Sequence, residues 1–326
     1  MLIWVTAVAA ASLGGAHPPR SASAGPTMQT VVAEAETKAR ADDVIVTARR
    51  SGAPVWRVSV GDRSLVLVGV IEGVSAETRW DPASLERALA KADQLTFPDT
   101  QGVAVSPFAL IGYYAKWRGH ATLPDRRTLS QLLTPDQYAR LVELRRRGLI
   151  APGFERRHPF HLALSLRGRV KGRGFGSDAS QVARRIAKKQ RIHIAPLAET
   201  AAKPLAAELF RSRPEDHVRC LMDAVALVEA GPAAVRERSD AWAERRIPAS
   251  LGSVAERVYG SCWPAGSTFD VTPERGLTRS IRQLLDGPRL TVAMVSLSSL
   301  ARPDGVLDEL ARSGVLIDGP AWRDNE

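Results

Sequence analysis

The sequence is poor in cysteine and lacks a cysteine-based metal or redox motif. Its 326 residues include only two cysteines, Cys220 and Cys262, and neither lies in a Cys-x-x-Cys motif or next to a histidine at metal-ligand spacing. An apolar segment at residues 2–15 is too short to span a bilayer, and no Lys or Arg precedes it. These absences exclude a cysteine-rich zinc module and leave the apolar segment to be explained in another way.

That segment has the length of the apolar core of a signal peptide. Ala22-Ser23-Ala24 follows it and supplies small residues of the kind found at cleavage sites. The sequence therefore predicts a signal peptide over residues 1–24 and export to the bacterial periplasm or cell envelope. Because the basic residues that usually open a signal peptide are missing, a misassigned start or a cytoplasmic protein with an apolar N terminus stays open. Residues 25–50 have no sustained apolar period and are interpreted as a linker.

Export bears on the two cysteines. An even pair in an exported chain is more often bridged than free, which favours a disulfide between Cys220 and Cys262. Such a bridge would close a long loop and stabilise the fold by about 3–4 kcal/mol in the chain-entropy model. Two buried thiols in a reducing compartment are the alternative.

The charge balance is strongly basic. Hydrophobic residues make up 44% of the chain and charged residues 25%, which predicts a folded core and excludes wholesale disorder. The formal net charge is +10, and the basic residues cluster at 145–147, 156–157, 167–173 and 184–191. No helix-turn-helix, RNP-like aromatic pair or zinc-finger spacing accompanies them, so they are interpreted as solvated helix faces rather than a sequence-specific nucleic-acid surface. Attraction to an anionic envelope surface remains open.

The apolar pattern predicts an α/β fold with a mixed β-sheet flanked by helices over residues 51–320, followed by a tail at 321–326. Residues 55–60 alternate, Gly61-Asp62 supplies a turn, and residues 64–71 run back, which is typical of a hairpin. Further strands are expected at 94–97 and 192–197. Between the two cysteines, residues 214–262 show helical spacing and are predicted to form a helical insertion.

Several segments resemble the TraB/GumN family, which includes the Tiki-type metalloproteases. The resemblance rests on residues 64–73 and 290–300 and on two middle segments, Thr128 to Leu141 and His158-Pro159-Phe160. It covers nearly all of residues 51–320. It implies a metal held by two imidazoles and carboxylates at neighbouring strand ends, which generates hydroxide for attack on a peptide carbonyl.

The family's site positions are altered in this chain. Where the family has two Gly-x-x-His motifs, this sequence reads Gly69-Val70-Ile71-Glu72 and Ser296-Leu297-Ser298-Ser299, and Pro98 stands where the family has a strand-end Glu. Two positions keep the family residue, Glu199 and Arg275. Arg275 lies in a segment that resembles a helix start of the family, although the Asn after the arginine is Gly276 here. The resemblance therefore implies a vestigial site at Glu72, Pro98, Glu199, Arg275 and Ser299. Glu199 is also explained as a carboxylate at the start of the following helix.

Three hypotheses follow. The first is an inactive relative without a cofactor, in which the cleft binds an unidentified protein or peptide partner or acts as a scaffold. The second is a metal-dependent hydrolase with a rearranged site at Glu72, Glu199 and Arg275, or a Ca²⁺ or Mg²⁺ site at Glu72, Asp99 and Glu199. The third is a binder of polyanions or of the envelope surface. No oligomeric state is predicted.

His158 and His161 form a second candidate metal-binding motif in the sequence. Zinc sites on helices more often use a four-residue spacing and need a third ligand from elsewhere. The pair is therefore assigned to packing at the start of a core helix.

Overall fold

A computed structural model describes residues 52–97, 100–101, 107–170, 176, 178–197, 200–260, 262 and 268–324. The predicted signal peptide at 1–24 and linker at 25–50 lie outside these residues. The strands are β1 Val55–Val60, β2 Arg63–Val70, β3 Gln94–Phe97, β4 Thr100–Gln101, β5 His193–Pro196, β6 Thr200–Ala201, β7 Thr291–Ser296 and β8 Leu316–Asp318. The helices are α1 Ala83–Leu89, α2 Pro107–His120, α3 Leu129–Leu132, α4 Pro135–Arg146, α5 Pro159–Arg167, α6 Ala179–Gln190, α7 Ala202–Arg211, α8 Val218–Ala230, α9 Pro232–Ala243, α10 Ile247–Gly252, α11 Val254–Gly260, α12 Thr268–Asp286, α13 Leu297–Ala301 and α14 Val306–Arg312.

The main sheet is mixed, as the sequence predicts. Its six strands lie in the order β5-β3-β7-β2-β1-β8, and β4 pairs with β6 in a separate two-stranded sheet. The four strands β5, β3, β7 and β2 are parallel to one another, whereas β1 and β8 add antiparallel strands at one edge. The parallel part brings the carboxyl ends of β2, β3 and β7 to one edge of the sheet, where α/β proteins commonly bind ligands.

The predicted hairpin is confirmed, and local sequence also explains two helix starts. Val60 pairs with Arg63 across a two-residue loop, and Gly61 has a φ of +56°, which glycine adopts without a Cβ penalty. Thr134 caps α4 by accepting a hydrogen bond from Gln137 N, and its own N–H donates to the Gln137 side chain. Asp178 caps α6 in the same way through Gln181 N.

The described core consists of two apolar clusters. One surrounds the main sheet and includes Trp56, Met294 and Trp242. The other is helical, includes Leu141 and Leu221, and contains the disulfide between Cys220 and Cys262, whose S–S distance is 2.07 Å. Helix α9 contributes to both clusters, because its first turn packs in the helical cluster and its last turn packs against the sheet. The predicted helical insertion and its disulfide are therefore confirmed.

One helix boundary differs from the sequence interpretation. The sequence places Arg275 at a helix start, but α12 begins earlier, at Thr268. Pro273 explains the difference locally, because proline is typical of the first turn of a helix. Among the helix residues whose burial is described, Leu277 and Ile281 lie on the apolar face.

Two further features concern the end of the chain and the helices as a group. In the segment assigned as a tail, Trp322 Nε1 donates to Asp308 Oδ1 at 2.9 Å, so this part lies against α14.

Within the described ranges, the helices are too short or too polar to cross a membrane.

Candidate functional site at the carboxyl edge of the sheet

A cavity of about 310 Å³ lies where β2, β3 and β7 end. Val70, Phe97 and Ser296, the last residues of these strands, all line it. Because the strands are parallel and adjacent, their last residues meet at this edge. The cavity therefore occupies the position at which the family resemblance places its site.

The loop after β2 carries Glu72 into this cavity and is held by α9. Trp242 Nε1 donates to Gly69 O at 2.9 Å, and Ser75 N donates to Ser239 Oγ at 3.0 Å. Thr78 Oγ1 donates to Asp240 Oδ1 at 2.6 Å. Three residues near the end of α9 thus hold the end of β2 and the loop that follows it.

The same helix places a buried arginine behind the loop. Arg238 is fully buried, and its Nη2 donates to the carbonyl oxygens of Glu72 and of Gly73. Its Nη1 lies 3.1 Å from Glu256 Oε2, on α11. Glu256 lines the cavity, and burial raises the pKa of its carboxyl, while Arg238 opposes that shift. The cavity wall therefore contains a buried ion pair that also binds the loop backbone.

Sequence analysis missed both Arg238 and Glu256. They lie in the helical insertion, for which the sequence predicted no site residue. A signal was present, because Val235, Arg238 and Trp242 share the inner face of α9, and an arginine between two core residues needs a buried partner. The sequence alone did not indicate which acidic residue would pair with Arg238.

The remaining polar lining comes from α6 and from the end of β7. Arg184 places its guanidinium carbon 3.8 Å from the centre of the Phe97 ring, which is a cation–π distance. Ser296 and Ser298 line the opposite side, with their hydroxyl oxygens 2.7 Å apart. Asp178 also reaches the cavity, although it caps α6 as well. The described lining thus combines carboxylates, hydroxyls and one guanidinium.

The structure brings together only some of the residues that the resemblance implies. Glu72 lines the cavity, but its side chain is 77% exposed and its Oε2 lies 3.5 Å from Arg167 Nη2. Ser299 is absent from the described lining, which uses Ser296 and Ser298 instead. Pro98, Asp99 and Glu199 lie outside the described residues, and only the backbone of Arg275 is described.

His158 and His161 belong to a separate cluster of four imidazoles. His120 Nδ1 lies 3.2 Å from His161 Nε2, and the His158 ring centre lies 4.1 Å from that of His120 and 5.4 Å from that of His217. Burial, and then the proximity of His120, lowers the pKa of His158 to about 3 and that of His161 to about 4. Trp117 packs edge-on against His161, 4.4 Å between ring centres. This cluster is part of the helical core, which agrees with the packing interpretation.

Comparison with known proteins identifies the family. The model of the TraB/PrgY/gumN family matches residues 54–318, which is most of the chain. This protein therefore belongs to the TraB/PrgY/gumN family. No curated protein and no solved structure matches it significantly.

The metal that the resemblance implies does not fit the described residues. At the two strand ends they offer the carboxylate of Glu72 and serine hydroxyls, with no imidazole, and neutral hydroxyls are poor ligands for a transition metal. Nowhere in the described part of the chain are three or more His, Cys, Asp or Glu side chains arranged to hold a metal ion. No catalytic step through a metal is derived for this site.

Proposed function

We propose that this protein is a non-catalytic member of its family, whose cleft at the carboxyl edge of the sheet binds a peptide segment of a partner protein. The observation that carries the proposal is the structural role of Glu256. This buried carboxylate in the cavity wall is paired with Arg238, which in turn holds the Glu72–Gly73 carbonyls. A carboxylate so engaged stabilises the wall and is poorly placed to act as a general base.

The groups left at the cavity surface suit binding. Glu72 is exposed and acidic, and Ser296 and Ser298 offer hydroxyls that both donate and accept hydrogen bonds. A peptide presents backbone donors and acceptors to such hydroxyls, and a Lys or Arg side chain would complement Glu72. The proposed ligand is therefore a peptide with a basic residue, bound without a cofactor.

The test combines binding and hydrolysis on the mature chain purified without chelator. Fluorescent peptides that differ only in a central Lys, Ala or Glu are titrated by anisotropy, and the same mixtures are followed by mass spectrometry. The Lys peptide should bind most tightly and stay intact, and Glu72→Gln should weaken it. The matched control is Glu77→Gln, which changes a carboxylate of the same loop that pairs with Arg236 and does not line the cavity. Stoichiometric zinc or manganese together with peptide hydrolysis that Glu72→Ala abolishes would overturn the proposal.

We also propose that the protein is exported, with residues 1–24 as its signal peptide. The Cys220–Cys262 disulfide supports this, because structural disulfides persist in oxidising compartments and are rare in the cytosol. Fractionation of cells that express the tagged chain, with thiol labelling before and after reduction, tests it. Recovery of the protein in the cytoplasm with both thiols labelled would contradict the proposal.

A further inference from the structure

A second hollow, of about 530 Å³, lies between α1 and the face of the sheet near the β1 edge. Its floor is aliphatic and consists of Val55, Val66 and Leu290, and Ala88 of α1 extends this surface on one wall. The β1–β2 register pairs Arg57 with Val66, which puts both side chains on the same face of the sheet. The hollow therefore has an apolar floor with a cation at its margin.

Three cations surround this floor. Arg57, Arg87 and Lys91 line the hollow and are exposed, whereas none of its described lining residues is acidic. The hydrogen bonds and ion pairs found among the described residues involve none of these three side chains. Three like charges beside one low-dielectric surface raise the local positive potential, and an anion placed between them would relieve it.

Three carboxylates near the hollow do not line it, and one of them, Asp93, accepts a hydrogen bond from Leu290 N at 2.9 Å. Asp318 of β8 pairs in register with Arg57, so it is on the same face, but it does not line the hollow. Glu86 lines a neighbouring depression that it shares with Arg87 and with Lys189 of α6. These acids lower the positive potential at the borders of the hollow, and none of them lines its aliphatic floor.

We propose that this groove, defined by Val55, Arg57, Val66, Arg87, Ala88 and Lys91, binds an anionic amphiphile with an aliphatic chain. The volume is within the usual range for small-ligand sites of roughly 300–1,000 Å³. An aliphatic chain suits the floor, because no aromatic side chain among the described lining residues could stack on a ring or base. A phosphate or carboxylate head group suits the three cations. The site is independent of the cleft that carries the proposed function.

The direct test is isothermal titration of the mature chain with dodecyl phosphate below its micelle concentration. Laurate replaces phosphate by carboxylate on a comparable chain and tells the two head-group sources apart. Dodecyltrimethylammonium, dodecyl maltoside and inorganic phosphate separate the contributions of charge and chain. We expect saturable binding of the anionic amphiphiles only. Equal binding of the cationic or neutral amphiphile, or equally tight binding of inorganic phosphate or heparin, would overturn the proposal.

Variants locate the site. The triple variant Arg57→Gln/Arg87→Gln/Lys91→Gln should weaken the binding of dodecyl phosphate roughly tenfold, because each exposed charge contributes a modest part of the binding free energy. Arg147→Gln removes an exposed cation elsewhere and should leave the affinity within about twofold of the parent value. Ala88→Leu should weaken amphiphile binding, because the larger side chain occupies part of the hollow. Asp318→Asn should strengthen binding, because it removes a nearby negative charge. Unchanged affinity in the triple variant would overturn the proposal, provided that its circular dichroism and melting match the parent.

Discussion

Arg238 Nη1 lies 3.1 Å from Glu256 Oε2, in an ion pair whose guanidinium is fully buried and whose carboxylate is 11% exposed. The same guanidinium donates to the carbonyls of Glu72 and Gly73. One side chain of α9 thus joins α11 to the loop that follows β2. The pair fixes the shape of the cavity wall at the edge where the family resemblance locates its chemistry.

Removing the arginine should be costly. Arg238→Met leaves the Glu256 carboxylate buried without its cation, and loss of one partner of a buried pair typically costs about 3–5 kcal/mol. Burial already raises the pKa of Glu256, so loss of Arg238 should raise it further. The folded variant then binds a proton that the unfolded chain releases, and its stability should increase as the pH falls from 8 towards 5. Urea unfolding across that range measures both effects.

Two companion variants check this explanation. Adding Glu256→Gln to Arg238→Met removes the buried charge, so it should restore part of the stability at pH 8 and flatten the pH dependence. Arg236→Met breaks only the exposed pair with Glu77 and should cost at most about 1 kcal/mol. A loss in Arg238→Met no larger than that in Arg236→Met would argue against a buried pair.

The four-histidine cluster should make the fold sensitive to acid. Burial lowers the pKa of all four imidazoles, that of His158 to about 3 and that of His161 to about 4. The folded chain keeps them neutral while the unfolded chain protonates them below about 6.5. Their contribution is therefore fully present above pH 6.5 and is lost as the pH falls towards 4, by about 1.4 kcal/mol per pH unit for each proton.

Urea midpoints at pH 7.5, 6 and 5 measure this slope. His161→Gln keeps a polar group beside His120 and removes one titrating site, so its slope should be shallower than that of the parent. His193→Gln, which removes an imidazole at an exposed position of β5, is the matched control. Equal slopes in His161→Gln and the parent would contradict the prediction.

Gly69, near the end of β2, should be required for packing. A Cβ at this position would lie 2.8 Å from Leu297 Cδ1 and 2.9 Å from Trp56 Cζ3. Gly69→Ala should therefore destabilise the fold by about 1–3 kcal/mol through overpacking. Gly112→Ala in α2 is the matched control, because no described atom beyond its chain neighbours and the surrounding helix backbone lies within 4 Å of the added Cβ. It should stabilise the fold by about 0.5–1 kcal/mol. Thermal unfolding of the two variants gives the comparison.

The disulfide should stabilise the helical core. Cys220 and Cys262 are 42 residues apart in sequence, and their bridge restricts the unfolded chain. The double variant Cys220→Ala/Cys262→Ala should lose about 3–4 kcal/mol by loop closure. The reduced parent protein, unfolded by urea in the same buffer, should have nearly the same free energy of unfolding as the double variant. The remaining difference is the small effect of replacing two cysteine side chains by alanine. A parent midpoint that reduction does not move would show that the bridge contributes nothing.

The sequence predicts much of the framework, because those signals are local. The hairpin turn at Gly61, the capping box at Thr134 and the cap at Asp178 each depend on residues within a few positions of one another. The start of α12 differs from the sequence interpretation because Pro273 is typical of a first turn, whereas the helix extends from Thr268. Local rules locate an element well and its first turn poorly.

The candidate site was less accessible from sequence. Position alone identified Glu72 at the end of β2, and the structure places it in the cavity. The second strand end was assigned to Ser299, whereas Ser296 and Ser298 line the cavity, because α13 begins directly after β7 and its helical period decides which side chains face the cavity. Arg238 and Glu256 were missed because their partners are distant in the chain.

The sequence by itself determined the α/β class, the family and the basic charge. These depend on residue identity and local periodicity, which the chain carries before it folds. Tertiary structure decided that Arg238 pairs with Glu256, that four histidines share one core, and that Arg57, Arg87 and Lys91 surround one apolar floor. Each of these combines residues from different elements, and side-chain energies at such distances depend on burial and approach that only the packed fold creates.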